Sequence, residues 1–338
     1  MRPPAHVRIA CIVPAHNEEQ GIAGTLESLW WQTRVPDLIV VAADNCSDAT
    51  VEVARACGAD VVFETIANRS RKAGALNQAL ARARGADFIL EMDADTRLPE
   101  NTIEELLRAF DDPTVGAACV VRATENNPGL LGLWQRMDTE WWQRFIEATH
   151  PEHVFCMDGS TTMFRAAALA EVSRAPWDQV SFVEDYVLTI DLRDRGWKCV
   201  MVPSATNVTE AKRTWRELWR QRTRWAYGTM QTLQREGLRR STRRAWWSHL
   251  WVCLVIVSRM VWYSSIACLA LGMLPYDPRW LLVVPLFLAE PLTATWHLGW
   301  RARVATVSLL FNEVGYLFVN AVFMTALLRL FLRRPIRW

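Results

Sequence analysis

Nearly every residue after Trp246 is hydrophobic, and this break in composition limits what the chain can fold into more than any other feature. Three apolar segments follow it: Trp246 to Leu274, Trp280 to Trp300 and Val304 to Leu328. Each exceeds the roughly 20 residues that carry an α-helix across a bilayer, so residues 246–338 are expected to form a multi-pass membrane region. Arg259, Glu290, His297, Asn312 and Glu313 interrupt these segments. Charge is expensive there, and such residues are expected to face one another, another subunit or water. Three crossings from a cytoplasmic start would leave Arg329, Arg333, Arg334 and Arg337 outside, against the positive-inside rule. An even number avoids this, with Asn312-Glu313 as a candidate turning point.

The preceding part reads differently. Ile9 to Val13, Leu38 to Ala42, Val61 to Phe63 and Phe88 to Met92 are short apolar runs. Between them, Gly21 to Gln32, Ala49 to Cys57 (with Asp48 as a candidate cap) and Lys72 to Ala83 have helical spacing. Strand and helix alternating in this way predict a doubly wound, mostly parallel sheet with helices on both faces. Thr102 to Phe110 and Leu130 to Ala148 continue as helices, Val115 to Arg122 as a strand, and Trp215 to Arg235 as a helix with aromatic and basic sides. That last pattern, just before a membrane segment, suits the interface with an anionic leaflet, which makes membrane lipids an expected partner.

Composition excludes several classes. The chain has 338 residues and a net charge of only +2, so the general basic field of a nucleic-acid binder is missing. The 8 cysteines are scattered singly, with no C-x-x-C pair, which argues against a zinc site or disulfide framework and for a reducing compartment. The N-terminus runs from Met1 into a strand without a signal-like apolar stretch, so the first part is expected in the cytoplasm, tethered to a bacterial-type cytoplasmic membrane. Neither a G-x-G-x-x-G turn nor a P-loop is present.

Candidate chemistry gathers at the carboxyl ends of the strands, where open α/β sheets bind ligands. Asp44 follows the second run; Asp93 and Asp95 follow the fourth. Two carboxylates one residue apart there point to a divalent cation, although Asp-Ala-Asp alone is an ordinary solvated turn. Gly159, in the turn Asp158 to Thr162, would let another molecule approach the backbone closely. Glu184 and Asp185 open a helix, where acidic residues also serve the helix dipole alone.

Taken in order, Pro14-Ala15-His16-Asn17-Glu18-Glu19, Ala43 to Asp48, Lys72-Ala73-Gly74-Ala75-Leu76-Asn77, Asp93-Ala94-Asp95, Glu184-Asp185 and Gln221-Arg222-Thr223-Arg224-Trp225 resemble the motif series of family 2 glycosyltransferases. The resemblance spans residues 7 to about 230 and is nearest to the membrane-bound branch with cellulose, chitin and hyaluronan synthases. It implies a GT-A catalytic domain in residues 1–210, interfacial helices in 211–245 and a membrane region in 246–338. It implies a UDP-sugar donor, UDP-glucose or UDP-N-acetylglucosamine, and Mg²⁺ or Mn²⁺. By the same resemblance, Asp44 takes the uracil imide, His16 lies against the ring with Pro14, Ala15 and Glu18 nearby, and Lys72 is a cation near the base or phosphates. Asp93 serves ribose or metal, Asp95 the metal, Gln221 and Arg224 the diphosphate. Asp185 is the general base, for which an ordinary aspartate ionised at neutral pH suffices. Gly159, Glu184 and Trp225 fall on the acceptor side, Trp225 beneath a sugar. The acceptor would be a glycan, a lipid-linked group or a protein. Unlike the larger synthases, the chain shows no apolar helix before its catalytic part and few after it, which implies either a homo-oligomer that encloses a polymer or transfer of one or a few sugars.

Overall fold

The computed structural model of the protein describes residues 7–124, 129–149, 154–275, 277–278, 300, 303–304 and 309–334. The chain forms two compact units, Met1–Asn127 with Phe145–Lys212, and Pro128–Arg144 with Arg213–Trp338.

In the first unit the strands are β1 (Ile9–Ala15), β2 (Leu38–Ala43), β3 (Val61–Glu64), β4 (Phe88–Met92), β5 (Thr96–Arg97), β6 (Val115–Thr124), β7 (Thr161–Arg165) and β8 (Lys198–Thr209). They join in one sheet of order β3-β2-β1-β4-β7-β6-β8-β5. The helices are α1 (Ile22–Trp30), α2 (Thr50–Ala56), α3 (Arg71–Leu80), α4 (Thr102–Arg108), α6 (Ala166–Val172) and α7 (Glu184–Asp194); α5 (Leu130–Thr149) belongs to the second unit as far as Arg144.

Apolar runs in β1, β2 and β4, interrupted by Glu91 alone in β4, follow from burial on both faces. Alternate residues go opposite ways: Ile9, Cys11, Val13, Ile39 and Leu90 pack with Leu26 and Leu29 of α1 and Leu106 of α4. Ala10, Ile12, Val40 and Ile89 pack with Leu76 of α3, Trp177, and Leu188 and Leu192 of α7.

The sheet is mixed rather than mostly parallel. β1, β2, β3 and β4 run parallel, as do β6 and β8, but β7 lies antiparallel between β4 and β6, and β5 is antiparallel to β8. Strand direction is a property of the pairing and leaves no mark on an apolar run. β5, β8 and α6 escaped the periodicity reading. β5 has only two residues, and in β8 the sequence Lys198-Cys199-Val200-Met201-Val202-Pro203 is broken by proline and by a register shift opposite Val120 and Val121.

In the second unit α8 (Trp215–Glu236) starts on a capping box: Thr214 Oγ1 accepts from Glu217 N–H at 3.2 Å and the Glu217 carboxylate accepts from Thr214 N–H at 3.2 Å. It ends at Gly237, whose φ of 68° suits a residue without a side chain. α9 (Arg243–Ala270) and the Glu313–Phe331 part of α10 (Leu309–Phe331) are the two helices among the described residues long and apolar enough to cross a membrane. Most of the Trp280 to Trp300 segment, with Glu290 and His297, lies outside the described residues. Asn312 and Glu313 are inside α10, so no turn occurs there. Instead Arg259, 2% exposed, pairs with Glu313, which also accepts from the Tyr263 hydroxyl, and the guanidinium stands 3.8 Å from the centroid of the Tyr316 ring. Two of the charged residues in the apolar segments thus neutralise each other.

Candidate active site

Strand order reverses at β1 and β4: chain order moves outward from β1 through β2 to β3, then returns to place β4 on β1's other side. At such a switch point the loops after adjacent strands part and leave a crevice. The loop of His16 to Glu18 leaves β1, Asp44 ends β2, and Asp93 to Asp95 follows β4, all on one sheet edge.

Asp44 is buried, and its Oδ1 accepts from Thr65 Oγ1 at 2.7 Å, Asn68 Nδ2 at 2.8 Å and Asn45 Nδ2 at 2.9 Å. His16 Nδ1 is 2.6 Å from the Asp44 carbonyl oxygen. The neighbouring loops hold four non-glycine residues in the left-handed region, Asn17, Asn45, Ala67 and Arg71, with φ of 55°, 51°, 47° and 53°. Strain of this kind persists only where the surroundings fix the backbone, and here it shapes the rim around a rigid carboxylate.

Beside it lies an acidic group. Burial, then Asp95 and Asp93, push Glu18 up to about 7. Burial, then Asp93, also raises Asp95, with Lys212 and Lys72 opposing. Among the described residues no three His, Cys, Asp or Glu side chains are close enough to hold a cation by themselves. All-oxygen donors with an excess of negative charge and few protein ligands fit a hard cation such as Mg²⁺, which is commonly held by one or two carboxylates plus substrate phosphates.

Lys72, on α3, is the centre of a second group. Its ammonium is 2.6 Å from Asp93 Oδ1, 3.0 Å from Glu91 Oε1 and 3.8 Å from Glu184 Oε1, and donates to the Gly159 carbonyl. Burial acts to lower its pKa, but Asp93, Glu91 and Glu184 outweigh this and hold it well above the ordinary lysine value. Glu91 is 1% exposed and accepts from Trp177 Nε1 at 2.9 Å; burial pushes its carboxyl up and the Lys72 ammonium beside it draws it back down. Gly159 has a close neighbour: a Cβ there would be 2.5 Å from Asp185 Oδ2. The group approaching this backbone is therefore the chain's own Asp185.

Asp185 lies in the first turn of α7 and its Oδ1 accepts from the Tyr186 N–H at 2.7 Å. Burial, then Glu184, raises it to about 7, with Lys72 opposing. The expectation of an ordinary, fully ionised aspartate is corrected by this desolvation, which primary sequence does not report. Asp158, next to Gly159, is held below the carboxylate range although burial opposes it, because Arg122 grips it at 2.9 and 3.0 Å.

The structure thus brings Lys72, Asp93, Gly159, Glu184 and Asp185 together, with His16 and Asp44 forming a group of their own and Glu18 and Asp95 joined to Asp93. Pro14 and Ala15 are buried in β1. Gln221, Arg224 and Trp225 lie half-buried on α8 in the second unit. Arg222, between them in sequence, donates to Asp138 at 2.6 Å and lies 4.6 Å from the Trp225 ring centroid. Glu91, Thr65, Asn68 and Lys212 were missed by sequence reading. Only Glu91 carried a signal, a carboxylate inside the apolar run Phe88 to Met92.

A switch-point crevice lined by acidic strand ends is where an α/β sheet of this kind takes a charged ligand. The family model described as "Glycosyltransferase like family 2" matches residues 4–228, and the chain belongs to that family. It is similar to the poly-beta-1,6-N-acetyl-D-glucosamine synthase of Staphylococcus aureus (strain COL), 27% identical over 68% of this chain and 56% of that protein. It is also similar to the probable glycosyltransferase YdaM of Bacillus subtilis, 29% identical over 65% of this chain and 55% of that protein. The matched region therefore spans about half the length of these relatives. Among solved structures, the mannosyltransferase PcManGT of Pyrobaculum calidifontis, in complex with GDP-Man and Mn²⁺, has the same fold, with a TM-score of 0.64 at 18% identity over 97% of this chain and 90% of that one.

Proposed function

We propose that the chain is a membrane-anchored, inverting transferase that moves a hexose from a UDP-sugar, UDP-glucose or UDP-N-acetylglucosamine, to a hydroxyl on a glycan, lipid or protein. The observation that carries the reading is the bridge of the Lys72 ammonium between Asp93, at 2.6 Å, and Glu184, at 3.8 Å, whose chain neighbours are Asp95 and Asp185. Donor-side and acceptor-side carboxylates then flank one reaction centre.

In this reading Asp44, held by Thr65 and Asn68, receives the uracil N–H, and His16 lies along the base. Asp95 with Asp93 would hold Mg²⁺ or Mn²⁺, which supplies charge neutralisation for the departing diphosphate. Asp185 takes the proton of the acceptor hydroxyl as its oxygen bonds to the anomeric carbon. The bond from that carbon to the diphosphate oxygen breaks, UDP leaves with the electron pair, and the centre inverts. Glu184 orients Lys72 and the start of α7. Gln221 and Arg224 would serve the diphosphate, guanidinium matching phosphate geometry, and Trp225 would stack on an acceptor sugar. Anchoring rests on α9 and α10. The name of the Staphylococcus relative supports N-acetylglucosamine as the sugar and supports a second reading, repeated transfer by an oligomer that builds a polymer.

Purified chain in detergent with Mn²⁺ is expected to release UDP from one of the two donors. Asp185→Asn is expected to lower that rate about 10²- to 10⁴-fold, the span of general-base contributions. Asp95→Asn is expected to abolish stimulation by Mn²⁺. Release of UDP at the full rate by Asp185→Asn would overturn the assignment of the base.

A further inference from the structure

Glu91 is used neither by the motifs nor by the chemistry above, yet a carboxylate in the middle of a fully buried strand is costly to keep. An apolar side chain would fill that place without the desolvation. It precedes Asp93, the first residue after β4, by two positions, and both carboxylates reach the Lys72 ammonium. An ammonium has three N–H bonds to give. That of Lys72 donates to the Gly159 carbonyl and makes ion pairs with Asp93 Oδ1 at 2.6 Å and with Glu91 Oε1 at 3.0 Å, an oxygen that has no hydrogen bond of its own. The lysine thereby joins β4 to the turn that carries Gly159, and that turn lies against Asp185.

A lysine on its four-carbon stem does not hold one position unaided. Of its carboxylate neighbours, Asp93 and Glu184 are the more exposed, whereas Glu91 is buried and pinned. Its Oε2 accepts from the indole of Trp177, itself 0% exposed. Trp177 is clasped in turn by Asn77 of α3, which donates to its carbonyl at 2.8 Å and accepts from its N–H at 3.2 Å. Lys72 and Asn77 are on one helix, so the two ends of this loop of contacts are rigidly related.

We propose that Glu91 is a positioning residue for transfer, the buried anion that fixes Lys72 so that Asp93 and the Gly159 turn beside Asp185 keep their spacing. The inference rests on the proposed roles of Asp93 and Asp185. Glu91 touches neither substrate and acts only through Lys72.

The test is a double-substitution cycle in the full chain, with whichever nucleotide sugar the unsubstituted chain turns over, so that a donor other than UDP-sugar would overturn the donor reading without touching this one. Glu91→Gln keeps an oxygen for the Trp177 indole and removes the charge. It is expected to lower kcat at least 10-fold while the donor KM changes less than 3-fold. In a Lys72→Met background the same substitution is expected to change kcat less than 2-fold. Should Glu91→Gln fail to fold, Glu91→Asp serves in the same cycle, with a smaller fall in kcat that Lys72→Met again removes. An equal fall in both backgrounds would show a purely structural role, and an unchanged kcat in the Lys72 background would show none; either result overturns the proposal.

Discussion

At the residue scale, Asp185 shows how far the surroundings alter an acid. Its carboxyl is raised to about 7 by burial and by Glu184, and a base works only when deprotonated. kcat/KM is therefore expected to rise about tenfold per pH unit below 7 and to level off above it, read from a pH–rate profile; a flat profile from about pH 5 to 8 would contradict this. Stability runs the other way. Asp185 has a folded-state value near 7 against an ordinary value of 3.8, so over that interval the folded chain holds a proton that the unfolded chain has released. Thermal unfolding without donor or metal is expected to show stability falling as pH rises through this window. Gly159→Ala would bring a methyl to 2.5 Å from Asp185 Oδ2. Displacement of that size is expected to lower kcat about 10- to 100-fold with UDP binding retained, measured by kinetics and calorimetry.

At the element scale, helix starts and strand ends set the chemistry. The series β1, β2, β4 was legible because its runs are apolar but for Glu91, and Phe88 to Met92 matches the observed strand at both ends. β7 was legible only as a polar turn before Met163 and Phe164, yet it is the strand that follows the Gly159 turn and makes the sheet mixed. α8 was legible from its helical spacing, and its capping box is of the kind that fixes where a helix begins. Thr214→Ala is expected to cost about 1 kcal/mol of stability, checked by denaturant unfolding, because the Glu217 N–H loses its acceptor.

At the scale of the whole molecule, the chain sorts into a unit with the sheet and a unit with the long apolar helices. In the second unit Arg259 and Glu313 are far apart in sequence but form one ion pair, with Arg259 buried and Glu313 half-buried. Breaking such a pair from one side leaves an uncompensated charge, whereas replacing both members need not. Arg259→Leu is accordingly expected to lower the thermal midpoint of detergent-solubilised chain, and adding Glu313→Leu is expected to restore most of it. No recovery in the double variant would mean that the charges do more than neutralise each other.

The sequence by itself determined where strand and helix alternate, where the apolar helices lie and which carboxylates end up on the sheet edge, because these follow from local periodicity and from motifs a few residues long. Tertiary structure decided the direction of β7, the meeting of Lys72 with Asp93, Gly159 and Glu184, the rise of Asp185 to about 7 and the pairing of Arg259 with Glu313. Each of these depends on groups tens of residues apart and on how much water the fold removes from between them, quantities that exist only once the chain has closed around them.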